Sequence, residues 1–147
     1  AIHAPTHRMT QPWFFKVYKG KSKNVLCEII HKIDKEKYSA LKINKFIEKV
    51  KSSDTIISVC MTKDESNRVP EWEEIAAVSM AVQNMWLSCY VNNIGSYWST
   101  PALKDDYAKH SGLNSNQKSL GFFFMGSYKH LETTKVRDGL DSKVEWV

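Results

Sequence analysis

Between Ala4 and Trp13 the chain reads APTHRMTQPW, which gathers the hydroxyls of Thr6 and Thr10, the switchable ring of His7, the guanidinium of Arg8 and the amide of Gln11 in one short stretch. Such a set can hydrogen-bond a single polar aromatic ligand from several directions. Pro5 and Pro12 fix their own φ and bias the residues before them away from helix, so the stretch is expected to be an ordered, extended loop that displays its side chains. Taken by itself, its composition is also that of a plain polar N-terminal arm.

Two further features give the stretch a use. Asn92 to Pro101 (NNIGSYWSTP) reads as a second polar and aromatic loop, and Lys135 and Arg137 form a basic pair near the C-terminus. Donors on two loops suit a flavin ring, which accepts a hydride and then carries negative charge at its pyrimidine end. A phosphate tail needs Lys or Arg, which the basic pair supplies. Other chemistries find less support. His3 and His7 are four apart in a proline-bounded loop, with no HExxH or paired-cysteine pattern to complete a metal shell. No GxSxG elbow marks a hydrolase, and the six glycines are scattered, so no glycine-rich phosphate cradle is present. Asp105 and Asp106 read as solvated acids of a short helix.

The elements that must position these residues follow from periodicity. Phe14 to Tyr18 is expected to be a strand, stopped by Lys19 and Gly20. Ser22 can cap a helix over Lys23 to Ile33, and a lysine-rich helix follows over Ser39 to Lys51, each with one apolar stripe. Thr55 to Thr62 (TIISVCMT) is apolar almost throughout, as expected of a central strand covered on both faces. Pro70 suits a first helical position, and Glu71, Glu73 and Glu74 suit the dipole of a long helix running to Asn93, with Gly95 available as its cap. That helix is apolar on more than one stripe, which predicts one side on the sheet and another on a partner subunit. A short helix over Ala102 to His110 closes at Gly112, Ser119 to Gly126 is a buried strand, and Ser127 to Val147 is an arm without helical period. The order gives an α+β or mixed α/β three-layer domain.

Composition bounds the partners. The chain has 147 residues, 42% hydrophobic and 25% charged, which suits one folded domain. Its net charge of +5 is spread over lysines that alternate with acids, with arginine only at Arg8, Arg68 and Arg137, so a solvated face is favoured over a nucleic-acid groove. Cys27, Cys60 and Cys89 are isolated in apolar surroundings, which predicts reduced buried thiols and, with no signal-peptide pattern, a cytoplasmic protein. The apolar run from Ile75 to Val91 is broken by polar residues, so no membrane span is expected.

Four motifs together resemble the nitroreductase-like FMN-dependent oxidoreductase family, in the compact bacterial branch of NAD(P)H nitroreductases. They are Ala4-Pro5-Thr6-His7 with Gln11-Pro12-Trp13, VPEWEE at Val69 to Glu74, IGSYWST at Ile94 to Thr100, and GFFFMG at Gly121 to Gly126. The resemblance implies one domain over residues 1–147, a three-layer α/β/α fold with a mixed, mainly antiparallel sheet and a long central helix, and a homodimer with FMN at the interface. It implies that His3 and His7 reach the cofactor from the partner subunit, and that Pro5, Thr6, Gln11, Trp98, Ser99 and Thr100 line the cofactor site. Lys135 and Arg137 are implied at its phosphate. Ser88, Cys89, Tyr90, Val91, Asn92 and Asn93 match a stretch assigned to the nicotinamide nucleotide.

The activity implied is NAD(P)H-dependent, ping-pong hydride transfer to nitroaromatic, quinone or similar acceptors, the cofactor doing the chemistry without a catalytic acid or base. The alternative is a flavin-binding module without turnover. Relative to the family pattern the chain begins after a helix bearing an Arg-Arg-Ser type segment. His3 and Ser99 stand where basic residues are common, which implies a lower flavin potential.

Overall fold

The computed structural model describes residues 1–33, 36–129 and 137–147. In chain order the elements are β1 (Trp13–Lys19), α1 (Ser22–His31), α2 (Ala40–Ser52), β2 (Thr55–Thr62), α3 (Glu71–Val91), β3 (Gly95–Ser99), α4 (Lys104–His110) and β4 (Gln117–Gly126). Single 3₁₀ turns lie at His7–Met9 and Leu140–Ser142. The four strands form one sheet in the order β1-β2-β4-β3, and its three pairings are all antiparallel.

Side-chain alternation along the strands makes two cores, because successive residues point to opposite faces. Tyr18, Ile56, Phe122 and Phe124 face α1, α2 and α4, where they meet Leu26, Ile30, Phe46, Val50 and Tyr107. Phe46 sets its ring edge-on to Phe122 and Phe124, with centroids 4.9 and 5.8 Å apart. On the other face Val59, Met61 and Phe123 meet Val78 and Val82 of α3. The result is the three-layer α/β/α arrangement that the resemblance implies.

Several expectations needed correction. Gly95 to Ser99, read as loop, is an edge strand, with Gly95 opposite Gly126 and Ser99 opposite Phe122. Ser22 does not cap α1 from outside: it opens the helix, and its hydroxyl donates back to the Lys19 carbonyl while accepting the Lys19 N–H, both at 2.8 Å. Pro70 lies one position before α3, at ψ 140. The far end of α3 is closed by Asn93, in the left-handed region at φ 55, ahead of the expected Gly95.

With 21 residues α3 is about 31 Å long. Ala77, Val78, Ala81 and Val82 are buried, whereas Trp72, Met80, Leu87, Tyr90 and Val91 are exposed. The described residues therefore cover only one side of this helix. Among the described residues no helix is long and apolar enough to cross a membrane. The C-terminal residues Leu140, Val144, Trp146 and Val147 are also exposed. All three cysteines are free, with Cys60 and Cys89 buried and Cys27 only partly so.

Candidate functional site

The Ala4–Pro12 stretch is not extended. Arg8, Met9 and Gln11 adopt φ of 51, 56 and 45, a region that non-glycine residues enter only when surrounding bonds hold them there. Those bonds are local. The hydroxyls of Thr6 and Thr10 pair at 3.1 Å, the Gln11 N–H donates to Thr6 Oγ1 at 3.1 Å, and Thr10 Oγ1 donates to the His7 carbonyl at 3.3 Å. Two threonine hydroxyls thus close a loop that the prolines alone would have left open. The Thr62 N–H donates to the Pro12 carbonyl at 2.7 Å and fixes the loop's exit at the end of β2. His7 Nδ1 pairs with Glu73 Oε2 in the first turn of α3. His3, Pro5, His7 and Gln11 are exposed, and Thr6 is half-buried.

Trp98 and Ser99 end β3, and Thr100 follows them, exposed. Trp98 lies on the α3 face against the core around Phe123. Its Nε1 is buried and has no acceptor among the described residues. The position of Ser99 depends on β4. A register shift between Val59 and Cys60 sets Gly121 and Ser119 opposite them, so Leu120 is an extra residue in β4. At Gly121 φ is 114, and a β-carbon there would stand 2.4 Å from the Ser99 carbonyl oxygen. Only glycine lets the edge strand come this close.

Within one chain the two segments do not face each other. The loop enters β1 and the Trp98–Thr100 segment leaves β3, at opposite edges of the sheet. Three strand spacings separate them, about 14 Å.

Arg137 lies elsewhere again. It lines a cavity of about 880 Å³ near the Gly95 end of β3, with Ser52, Ser53, Trp86, Tyr97 and Tyr128 among the other lining residues. Lys135 lies outside the described residues. Ser88 to Asn93 form the last turn of α3 and its cap. Cys89 faces the core, Tyr90 and Val91 are exposed, and Asn92 Nδ2 donates to the Ser88 carbonyl at 2.8 Å.

Glu73 and Asp106 have partners that the sequence does not display. Glu73 looks in sequence like any acid at a helix start, because its partner is 66 positions away. Asp106, expected to be solvated, is buried and accepts from Lys109 Nζ at 2.8 Å, Lys37 Nζ at 2.6 Å and the Tyr38 hydroxyl at 2.7 Å. These donors, Lys109 first, hold its carboxyl well below the usual carboxylate range. Beside it the Tyr107 and Tyr18 hydroxyls hydrogen-bond at 2.8 Å, and burial pushes the Tyr107 phenol far up. Both contacts anchor α4, which begins just after Thr100 and Pro101.

The fold is thus a three-layer α+β domain, with donor-rich segments at the two edges of its sheet and one long, half-covered helix. The chain belongs to the nitroreductase family: the model described as "Nitroreductase family" matches residues 1–127. It is 24% identical over 141 residues to the Escherichia coli K12 protein named "Putative NAD(P)H nitroreductase YdjA", spanning 92% of this chain and 75% of that one. A crystal structure of a nitroreductase-like family protein from Bacillus cereus superposes with a TM-score of 0.86 at 23% identity, over 98% of this chain and 78% of that one. The FMN-dependent nitroreductase NfnB from Mycobacterium smegmatis, crystallised with NADPH, superposes with a TM-score of 0.70 at 15% identity, over 99% and 83%.

Proposed function

We propose that the chain is an FMN-carrying, NAD(P)H-dependent oxidoreductase acting on nitroaromatic, quinone or similar acceptors. The observation that carries this reading is the placement of the Ala4–Pro12 loop and the Trp98–Thr100 segment at opposite edges of one sheet. A second copy lying on the exposed side of α3 brings the loop of one chain to the edge strand of the other. The exposed Met80 and Leu87 supply the apolar surface for that contact. Names of relatives and neighbours point the same way, since they include NAD(P)H nitroreductases and a fold neighbour crystallised with FMN.

The residues present fit FMN. Trp98 Nε1 is a buried donor without an acceptor among the described residues, and Ser99 and Thr100, next in the chain, add hydroxyls at the sheet edge. His3, Pro5, Thr6, His7 and Gln11 form the opposing wall in this reading, with Arg137 and Lys135 assigned to the phosphate. When bound, FMN supplies the two-electron redox chemistry; the chain's residues bind it, orient it and stabilise charge at its pyrimidine end. His3 places a hydrogen-bonding nitrogen there, and His7 orients the ring. Ser88 and Tyr90 to Asn93 offer an exposed rim for the nicotinamide nucleotide, while the core-facing Cys89 contributes packing.

Steady-state assays with varied NADPH and a quinone test the reading. Parallel reciprocal plots, from a site that donor and acceptor occupy in turn, are expected. Bound FMN with no NAD(P)H oxidation above background would leave a flavin-binding module in place of an enzyme.

A further inference from the structure

We propose that Glu73 is a positioning residue of the cofactor site, acting through His7. This rests on the reading above, in which the Ala4–Pro12 loop forms part of a ring-binding wall. An ionised carboxylate can only accept, so the pairing of Glu73 Oε2 with His7 Nδ1 puts a proton on that nitrogen. In the neutral imidazole the other nitrogen, Nε2, is then an acceptor, and it lies on the ring edge turned away from Glu73. The His7 side chain is 50% exposed, which leaves that edge open to a ligand. A ring imide N–H, of the kind an isoalloxazine carries between its two carbonyls, is the donor this acceptor takes.

The other acids of the same helical turn have different tasks. Glu71 pairs with Lys118 Nζ at 2.6 Å, and the buried Glu74 accepts the Asp64 N–H at 2.8 Å. Glu73 is the one that meets the loop. It is carried by a long helix, whereas His7 belongs to a loop with three non-glycine residues at positive φ. Fixing the ring from the helix removes rotamers and one tautomer that binding would otherwise have to select.

The test uses the full chain and compares wild type, Glu73→Gln, Glu73→Ala, His7→Ala and the Glu73→Ala/His7→Ala pair. FMN affinity is read by fluorescence, and the ¹⁵N shifts of the His7 ring are read without FMN. The amide oxygen of Gln still accepts from Nδ1, so Glu73→Gln should bind FMN within about threefold of wild type, while Glu73→Ala weakens binding about tenfold. A role confined to the helix dipole makes the two variants equally weak and overturns the proposal. In the His7→Ala background the second change should cost nothing more; an undiminished extra loss overturns it. The FMN-free shifts should show Nδ1–H in wild type and a mixture in Glu73→Ala, and an unchanged tautomer overturns it. If wild type holds Nδ1–H through Glu73 yet ignores FMN, the cofactor reading fails while the His7–Glu73 relation stands. Thermal melting within a few degrees of wild type confirms that each variant is folded.

Discussion

Gly121 lies so close under the edge strand that a β-carbon on it would meet the carbonyl oxygen of Ser99 at 2.4 Å. Its φ of 114 excludes other residues for a second, independent reason. Gly121→Ala should therefore destabilise the chain by more than about 1 kcal/mol, from backbone strain before any clash is counted. Urea unfolding measures the loss. Because the same contact sets Ser99 and Thr100, FMN binding should weaken beyond what the loss of folded protein explains.

Asp106 joins α4 to the segment before α2 through Lys37 and Tyr38, and to its own helix through Lys109. Its folded pKa is depressed below the ordinary value of about 3.9, so its contribution is present in full above that value and is lost as pH falls below it. Asp106→Asn should lower the melting temperature by several degrees at neutral pH. The difference between wild type and variant should shrink as pH falls below about 4. Melting curves from pH 7 down to 3 read both effects, and a constant difference across that range would contradict the assignment.

The exposed side of α3 carries Met80 and Leu87, which the described residues of one chain leave uncovered. Leu87→Glu or Met80→Glu places a charge there and should convert a dimer into a monomer in analytical ultracentrifugation, with FMN released at the same time. A wild-type chain that sediments as a monomer would contradict the shared site.

Much of this architecture is legible in the sequence, and the exceptions share a cause. β2 is readable because TIISVCMT is apolar on both faces, and α1 and α2 because each has one stripe. β3 is not, because an edge strand of five residues with serines and a glycine has the composition of a loop. What makes it a strand is pairing with β4, a long-range relation. The Ala4–Pro12 loop was recognisable as ordered and polar, but its fold-back depends on the Thr6–Thr10 hydroxyl pair and not on proline geometry. Asp106 reads as solvated in the sequence because its partners Lys37 and Tyr38 come from far along the chain. The apolar character of α3 predicts two covered sides, and the described residues of one chain cover one of them.

His7 changed to Ala removes the nitrogen that the proposed site sets against the cofactor ring, without touching either core. FMN affinity should fall about tenfold, the size expected for one hydrogen bond, with the melting temperature of the FMN-free chain nearly unchanged. Equal loss of stability and affinity would instead make His7 a structural residue of the loop.

The central claim, that this chain holds a redox-active FMN, is tested most directly by the visible spectrum of the purified protein during anaerobic titration with NADPH. One FMN per chain, with flavin absorbance bleached stoichiometrically by NADPH, is the predicted result. A colourless protein that takes up no added FMN would contradict it.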